Sequence, residues 1–354
     1  MRFPFHYSTL LLPLVMACST PDQPSLPPGA SADAASIVDA EALRQQALAF
    51  FHPLPEVVEH PAGPDTPEKV ALGYKLFLDP QLSEDGTISC NSCHKLDHYG
   101  VDNSPTSIGV RGQHGGRNSP TVFNAALHNM QFWDGRATDV EQQAGMPMLN
   151  PVEMAIPSEA FIVKRLKTVP DYPTLFKVAF PADKDPLNFA NICEAIGAFE
   201  RTLLTPSRFD DFLKGNTTAL TPAETAGLST FLEVGCTNCH TGTAVGGTML
   251  QKFGVHQDFR QWTGSAASDE GRKQVSGAEA DRDLFKVPAL RNVTKTAPYF
   301  HDGRVAQLDS AIRIMATVQL GKELTDPQLN DLKTFLEVLT GAPPKTAATS
   351  GPSL

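Results

Sequence analysis

Two five-residue motifs of the form Cys-x-x-Cys-His contain the residues best suited to chemistry. They occupy positions 90–94 and 236–240. In each motif two thiols are spaced to add across the two vinyl groups of a haem, and the adjacent histidine is placed to bind the iron. A redox-active dithiol or a zinc half-site would also use paired cysteines, but neither requires a histidine directly after the second cysteine. The motifs therefore predict two covalently attached c-type haems. The predicted attachment and ligand residues are Cys90, Cys93, His94, Cys236, Cys239 and His240.

Composition limits the class of protein. The chain has 354 residues, enough for two domains of ordinary size, and its hydrophobic fraction of 41% and charged fraction of 19% are typical of a globular protein. The net charge is −10 and no run of basic residues occurs, which argues against a nucleic-acid partner and permits a basic or dipolar docking partner.

The N-terminus has the features of an export signal. An apolar segment runs from Leu10 to Cys18, Arg2 precedes it, and Val15-Met16-Ala17-Cys18 resembles a lipobox. We expect residues 1–18 to be a signal peptide and Cys18 to carry a lipid anchor; the alternative is an ordinary cleaved signal peptide, with Cys18 removed. Both alternatives export the chain, and we predict a periplasmic, membrane-tethered protein. The apolar run is short for a transmembrane helix.

The rest of the chain predicts a mainly α fold with long loops rich in glycine and proline. Residues 19–53 are expected to form a flexible tether and then a helix from Ser36 to Phe51. Threonine followed by proline, or by Asp-Pro, begins helices after Thr66, Thr221 and Thr325. No alternating strand pattern is evident. The sixth cysteine, Cys193, lies on an apolar helical face within residues 188–204, and we expect it to be a buried core thiol.

An internal repeat follows the two haem motifs. The pattern P-x-x-x-N, followed eight residues later by F-x-D-G-R, occurs at residues 120–136 and again at residues 288–304, with a constant offset (288 − 120 = 168; 304 − 136 = 168). The repeat predicts two cytochrome c-like haem domains related by internal duplication, at residues 54–205 and 206–342. Residues 343–354 are expected to be a disordered tail.

The two copies differ where a second iron ligand would lie. Met315 follows the second F-x-D-G-R on an amphipathic stretch, and the same offset lands on Pro147 in the first copy (315 − 168 = 147). A thioether is a common axial ligand opposite histidine and raises the haem potential, whereas proline cannot bind iron. We expect the second haem to be six-coordinate, with His240 and Met315, and the first to have an open face. Core packing is the alternative role for Met315.

Gln143 and Glu153 flank Pro147 and could act at such an open face. Breaking an O–O bond requires a group that takes a proton from the inner oxygen and delivers it to the outer one. A carboxylate can move that proton and an amide can orient the peroxide. Two solvated loop residues are the alternative interpretation.

Taken together, these motifs resemble those of the bacterial dihaem cytochrome c peroxidase family, which includes the MauG-type enzymes. The resemblance covers roughly residues 54–342. The segments that carry it are residues 105–109, 117–122, 131–136, 143, 151–154, 285–292, 297–303 and 315.

The resemblance implies a role for each site residue. His94 is the proximal ligand of the peroxidatic, low-potential haem, and Gln143 and Glu153 are its distal catalytic pair. His240 and Met315 bind the high-potential haem that receives electrons. Trp133 matches a tryptophan between the haems. A calcium ion between the domains is implied, with ligands corresponding to Asn118 and the backbone carbonyls of Thr296 and Pro298.

The sequence departs from the family pattern at Val110. Many members carry a histidine at this position, directly after Ser-Ile-Gly, and it caps the peroxidatic iron at rest. His114, four residues later on a glycine-rich loop, is a candidate substitute. We therefore hypothesise that the peroxidatic haem is open, or weakly capped, in the oxidised enzyme.

The resemblance implies a periplasmic enzyme that reduces hydrogen peroxide to water with electrons from a small cytochrome c or a cupredoxin. Members of that family often form homodimers, although no feature of this sequence shows a homodimer. Two alternatives are a MauG-like enzyme that oxidises a protein substrate and a dihaem electron carrier without catalysis. Met315 argues against the MauG-like alternative, because a tyrosine replaces the methionine ligand in that branch, while Val110 is a partial argument for it.

Overall fold

The computed structural model describes residues 39–344, and this part of the chain is mainly helical. The helices are α1 (Ala40–Ala47), α2 (Pro67–Leu78), α3 (Cys90–Cys93), α4 (Val140–Leu149), α5 (Glu159–Lys167), α6 (Tyr172–Ala179), α7 (Phe189–Glu200), α8 (Arg208–Leu213), α9 (Pro222–Val234), α10 (Arg260–Thr263), α11 (Lys273–Ser276), α12 (Leu308–Leu320) and α13 (Asp326–Val338). The predicted signal peptide, Cys18 and the tether up to residue 38 lie outside the described residues, as does the tail from residue 345.

The helix starts predicted from threonine and proline are confirmed. The Thr66 hydroxyl accepts a hydrogen bond from the Lys69 amide at the start of α2. Capping boxes begin α9 at Thr221 and α13 at Thr325. These contacts span a single helical turn, which is why the local sequence predicts them.

The N-terminal helix is shorter than predicted. It begins after Asp39, whose side chain accepts hydrogen bonds from the Glu41 and Ala42 amides, and it ends at Ala47. Phe51 lies beyond it and is fully buried. The helix stays short because one capping carboxylate fixes its first turn and the chain then turns to bury Phe51.

The prediction of a mainly α fold is confirmed, and the described residues contain one short pair of strands that no alternating pattern announced. Strands β1 (Leu250–Lys252) and β2 (Leu284–Lys286) form an antiparallel pair in which Leu250 faces Lys286. Each strand has three residues, too few for an alternating pattern to stand out in the sequence.

The hydrophobic core is divided between the two halves of the chain. One cluster draws its buried residues from 72–203 and contains Cys193, which confirms the prediction of a buried thiol. A second draws on residues 209–339 and also takes Leu43 and Phe51 from the N-terminal segment. A third, smaller cluster lies within residues 253–318. The segment of α1 therefore packs on the later half of the chain, although it precedes the earlier half in sequence.

Each half contains a close helix crossing at a glycine. A Cβ atom at Gly73 of α2 would overlap the carbonyl oxygen of Ala195 in α7, and one at Gly227 of α9 would overlap that of Asp331 in α13. Only glycine permits this approach of the two backbones.

The repeated sequence segments adopt matching backbone conformations. Asn124 and Asn292 both have a left-handed φ of 62°. Their Nδ2 atoms donate hydrogen bonds to the same hydroxyl, that of Thr205, over 2.8 and 2.9 Å. Thr205 lies at the predicted boundary between the halves, so the two turns meet there. Within residues 39–344 no helix has the length and apolar character needed to cross a bilayer.

Candidate haem and peroxide sites

The first Cys-x-x-Cys-His motif forms a single helical turn. Cys90–Cys93 is α3, and His94 ends it. The Nδ1 atom of His94 lies 3.4 Å from the carbonyl oxygen of Gly100. Burial lowers the pKa of His94, and the carbonyls of Gly100 and Pro120 oppose that shift. The imidazole is therefore neutral, with its proton placed on Nδ1, which leaves Nε2 free to bind a metal.

The second motif follows α9 through Gly235, whose φ is 96°. Burial lowers the pKa of His240 to about 4, and the carbonyls of Val245 and Pro288 act in the opposite direction. The Nδ1 atom of His240 is buried and forms no well-aligned hydrogen bond within the described residues. His240 is thus also neutral and able to act as a ligand.

The thiols of both motifs lack the character of a redox dithiol. Burial raises the pKa of Cys93 to about 11 and that of Cys236 to about 12. Reactive Cys-x-x-Cys pairs have lowered thiol pKa values. The raised pKa values argue against a redox dithiol.

A large, mostly apolar cavity surrounds the second motif. The cavity is lined by Cys236, Cys239 and His240. Met315 of α12 also lines it. Further lining residues include Phe253, Phe285, Leu290, Tyr299, Ile312 and Leu336. Two attachment cysteines, a neutral histidine, a thioether and apolar walls suit a covalently bound haem with histidine and methionine ligands.

A smaller pocket in the first half contains Glu153. It is lined by Arg136, Met146, Pro147, Leu149, Asn150 and Glu153. Burial raises the pKa of Glu153, opposed by the positive charge of Arg136 and by the Asn150 side chain, which donates a 3.0 Å hydrogen bond to Glu153 Oε1. Besides burial and other effects, the charge of Glu153 contributes to the raised pKa of Cys93. The carboxylate is therefore within electrostatic range of the first haem motif.

Gln143 lies near this pocket without lining it. It is on α4, one turn before Pro147, and its side chain forms no hydrogen bond with the described residues. The structure thus brings Glu153 and Pro147 together in one pocket, and the Gln143 side-chain amide has no hydrogen-bond partner among the described residues.

Sequence reasoning missed Arg136 and Asn150. The Arg136 guanidinium lies 3.5 Å from the centre of the Phe132 ring and pairs with Asp134 at 2.8 Å. Arg136 ends the first F-x-D-G-R segment, and the second segment ends in an arginine as well. This repetition could have marked Arg136 as a candidate site residue. Nothing in the local sequence marks Asn150, because its importance depends on reaching Glu153.

Val110 lies beside the same pocket. It is fully buried, and its amide donates a 2.9 Å hydrogen bond to the Glu153 carbonyl. His114 is exposed and its Nδ1 atom lies 3.4 Å from the Thr106 hydroxyl. Of the two positions considered for a resting iron ligand, Val110 therefore lies next to Glu153, whereas His114 lies on the surface.

Trp133 joins the two halves. Its Nε1 donates a 2.9 Å hydrogen bond to the Asn118 carbonyl, and its own carbonyl accepts one from the Lys286 amide. Its ring packs edge to face with that of His301, at 6.4 Å between centres, and lines the large cavity. Trp133 belongs to the first half but is packed against the third core cluster.

The residues predicted to bind calcium also meet at the large cavity. Asn118, Thr296 and Pro298 all line it. Asn118 donates its Nδ2 to the Ser104 carbonyl at 2.9 Å. Within residues 39–344, no donor bonds to Asn118 Oδ1 or to the carbonyls of Thr296 and Pro298. Three neutral oxygens without donors suit a hard cation such as Ca²⁺.

Comparison with known proteins places the chain in a family. A profile described as di-haem cytochrome c peroxidase matches residues 67–218. The chain is 42% identical to cytochrome c551 peroxidase of Pseudomonas aeruginosa, over 88% of this chain and 90% of that protein. It is 44% identical to cytochrome c551 peroxidase of Nitrosomonas europaea, over 79% and 82% respectively. The chain belongs to the di-haem cytochrome c peroxidase family.

Other members are more distant. The methylamine utilization protein MauG of Methylorubrum extorquens is 33% identical over 88% of this chain and 90% of that protein. A solved MauG-like protein associated with microbial copper homeostasis is 29% identical, with a TM-score of 0.70 over 81% of this chain and 93% of that one. The mainly helical fold is thus that of known dihaem proteins, and family membership gives the chain two c-type haems.

Proposed function

We propose that the protein reduces hydrogen peroxide to water with electrons from a small cytochrome c or cupredoxin. The observation that carries this proposal is the partly buried Glu153, held by Asn150 and faced by Arg136 within electrostatic range of the first haem motif. Relatives named cytochrome c551 peroxidase, at 42% and 44% identity, support the same activity.

The first half carries out the peroxide chemistry. His94 would hold the first haem, which would supply the electrons and the metal site for the peroxide. Glu153 would take a proton from one peroxide oxygen and give it to the other, which leaves as water. Arg136 favours the ionised carboxylate that accepts the proton, and the Gln143 amide orients the peroxide. Two electrons and two protons then balance the formation of two water molecules.

The second half receives electrons. His240 and Met315 would hold the iron of the second haem, and a thioether ligand would raise the potential of that haem. Trp133 belongs to the first half and contacts Asn118 and His301, and it lines the cavity of the second half, which supports it as the residue that carries electrons between the two sites. We propose that electrons enter at the second haem and pass towards the first.

The two halves are duplicated domains in this proposal, covering residues 54–205 and 206–342. Support comes from the constant offset of 168, from the matching glycine crossings and from the two asparagine turns that share Thr205. A calcium ion held by Asn118, Thr296 and Pro298 would join them. The proposed location is periplasmic, with a lipid on Cys18 and a homodimeric assembly.

Val110 sets the requirement for activation. A buried valine beside Glu153 offers no ligand to iron, so the oxidised enzyme should react with peroxide without prior reduction. The same observation favours a second candidate, a MauG-like oxidation of a protein substrate, and Met315 argues against it. The test is stopped-flow mixing of peroxide with the fully oxidised protein and, separately, with the half-reduced protein. Reaction only after half-reduction would reject the open first haem.

Steady-state turnover tests the activity itself. The holoprotein is mixed with reduced cytochrome c and peroxide, and oxidation of the donor is followed optically. Donor oxidation that requires peroxide supports the proposal. A holoprotein with both haems and no turnover with cytochromes c or cupredoxins would contradict it, and accumulation of an oxidised protein substrate would favour the second candidate.

A further inference from the structure

Lys286 is a buried cation without a carboxylate partner. It ends β2 and is 4% exposed. Its Nζ forms a 3.1 Å hydrogen bond with Nδ1 of His128 and no ion pair with any carboxylate in residues 39–344. Burial lowers the pKa of Lys286 to about 8, and only the charge of Asp134 acts against that shift. A buried ammonium group in this setting calls for an anion nearby.

His128 adds a second unused donor. Since the lysine ammonium has no acceptor atom, Nδ1 of His128 must accept, and the imidazole proton lies on Nε2. That Nε2 is buried and has no hydrogen-bond partner among the described residues. Burial and the charge of Lys286 both lower the pKa of His128. The pair therefore offers N–H donors on two side chains and positive charge on one.

The pair faces the haem cavity of the second half. Lys286 and His128 both line the cavity that contains Cys236, Cys239 and His240. Most other lining side chains are apolar, so the group that satisfies these donors must be an acidic part of whatever fills the cavity. A haem carries two propionate carboxylates. We propose that Lys286 and His128 together bind a propionate of the haem attached at Cys236 and Cys239. This inference rests on the proposed haem ligation at His240.

The repeat supports this assignment from a separate direction. The offset of 168 relates Lys286 to Asn118 (286 − 168 = 118) and Thr296 to His128 (296 − 168 = 128). Asn118 and Thr296 are two of the predicted calcium ligands. Asn118 of the first copy is thus a predicted ligand of a bound cation, whereas Lys286, its counterpart in the second copy, carries a positive charge itself. Both arrangements place positive charge against the same cavity.

A fixed positive charge beside a haem stabilises the reduced state, because reduction removes one positive charge from the iron. Lys286→Met should therefore lower the midpoint potential of the second haem. Lys286→Arg keeps the charge and should leave the potential close to that of the unaltered protein. Lys252→Met is the matched control, since Lys252 is an exposed lysine on the neighbouring strand β1.

Spectroelectrochemical titration of the full-length holoprotein measures these potentials, and the optical signature of methionine ligation shows that Met315 remains bound. Resonance Raman of the propionate bending mode gives an independent readout, which should shift in Lys286→Met and in His128→Leu. If Lys286→Met does not assemble, Lys286→Gln replaces it, because it removes the charge and keeps a polar side chain.

The inference is overturned if the charge-removing variants keep the unaltered potential and propionate band, or if Lys286→Arg lowers the potential as much as they do. Peroxide turnover is measured on the same preparations. Unchanged potential with normal turnover would refute only the propionate contact, whereas absence of turnover in the unaltered protein would refute the proposed function.

Discussion

Replacing Glu153 with glutamine should remove most of the peroxide turnover and leave the fold intact. Glutamine has nearly the same shape and can still accept the hydrogen bond from Asn150, now 3.0 Å long. It cannot take a proton from peroxide at neutral pH. General acid–base groups contribute about 10²- to 10⁴-fold to rate. Because Arg136 and Asn150 stay in place to orient the site, we expect kcat/KM to fall by about 10²- to 10³-fold, or about 3–4 kcal/mol.

The dependence on pH gives a second, independent expectation. Burial raises the pKa of Glu153 above its ordinary value. The ionised base is lost as pH falls through that raised pKa, so kcat/KM of the unaltered enzyme should decline on the acid side. Glu153→Gln should lack this decline. A raised carboxyl pKa also means that the ionised form is penalised in the folded state at neutral pH, so the substitution should not lower the melting temperature.

Glu56→Gln is the control, because Glu56 is exposed and lies in a loop away from this pocket. Turnover, haem content and thermal melting are measured for both variants. Near-normal kcat/KM in Glu153→Gln, or a loss of activity that tracks lost haem or a lowered melting temperature, would refute the catalytic role. An acid limb that persists in the variant would assign that titration to another group.

Three further changes test the ligation and the packing. Met315→Leu should remove the optical signature of methionine ligation and lower the midpoint potential of the second haem, as followed by spectroelectrochemistry, because the thioether favours the reduced iron; an unchanged spectrum would assign Met315 to packing. Asp210→Asn should cost about 3–5 kcal/mol in urea unfolding, because it leaves the fully buried Arg291 without its partner. Burial alone would raise the pKa of Asp210, but the charge and hydrogen bonds of Arg291 outweigh burial and lower that pKa. The stability from this ion pair is therefore present at neutral pH and is lost as pH falls through the lowered pKa. An Asp210→Asn variant with the same acid sensitivity as the unaltered protein would contradict the pairing. Gly73→Ala should lower the free energy of unfolding, measured in urea, by about 1–3 kcal/mol, because the added methyl group would overlap the Ala195 carbonyl. An unchanged urea midpoint would show that α2 and α7 can move apart without loss of stability.

The features that were predictable from sequence are those written within a few neighbouring residues. The Cys-x-x-Cys-His motifs specify attachment and a proximal ligand within one turn of chain. The caps at Thr66, Thr221 and Thr325 specify helix starts because each hydroxyl reaches an amide three residues later. The difference between Met315 and Pro147 was visible because the offset of 168 between residues 120–136 and 288–304, extended eleven residues further, pairs Met315 with Pro147.

Other features depended on contacts between distant segments. The pairing of β1 with β2 joins residues more than thirty positions apart, and each strand is too short to be recognised alone. The packing of α1 on the later half of the chain was equally invisible, because an amphipathic helix shows that it has an apolar face and not what covers it.

By itself, the sequence determined that two haems are attached, where three of the long helices begin and which copy has a methionine available as a second ligand. Those properties depend on residue type and short spacing. Only the tertiary structure decided that Glu153 is partly buried beside Arg136 and Asn150, and that Lys286 meets His128 across the two halves. The burial and the charge environment of a side chain depend on neighbours from many segments of the chain. A carboxylate or an ammonium group therefore acquires its function from how the chain folds around it.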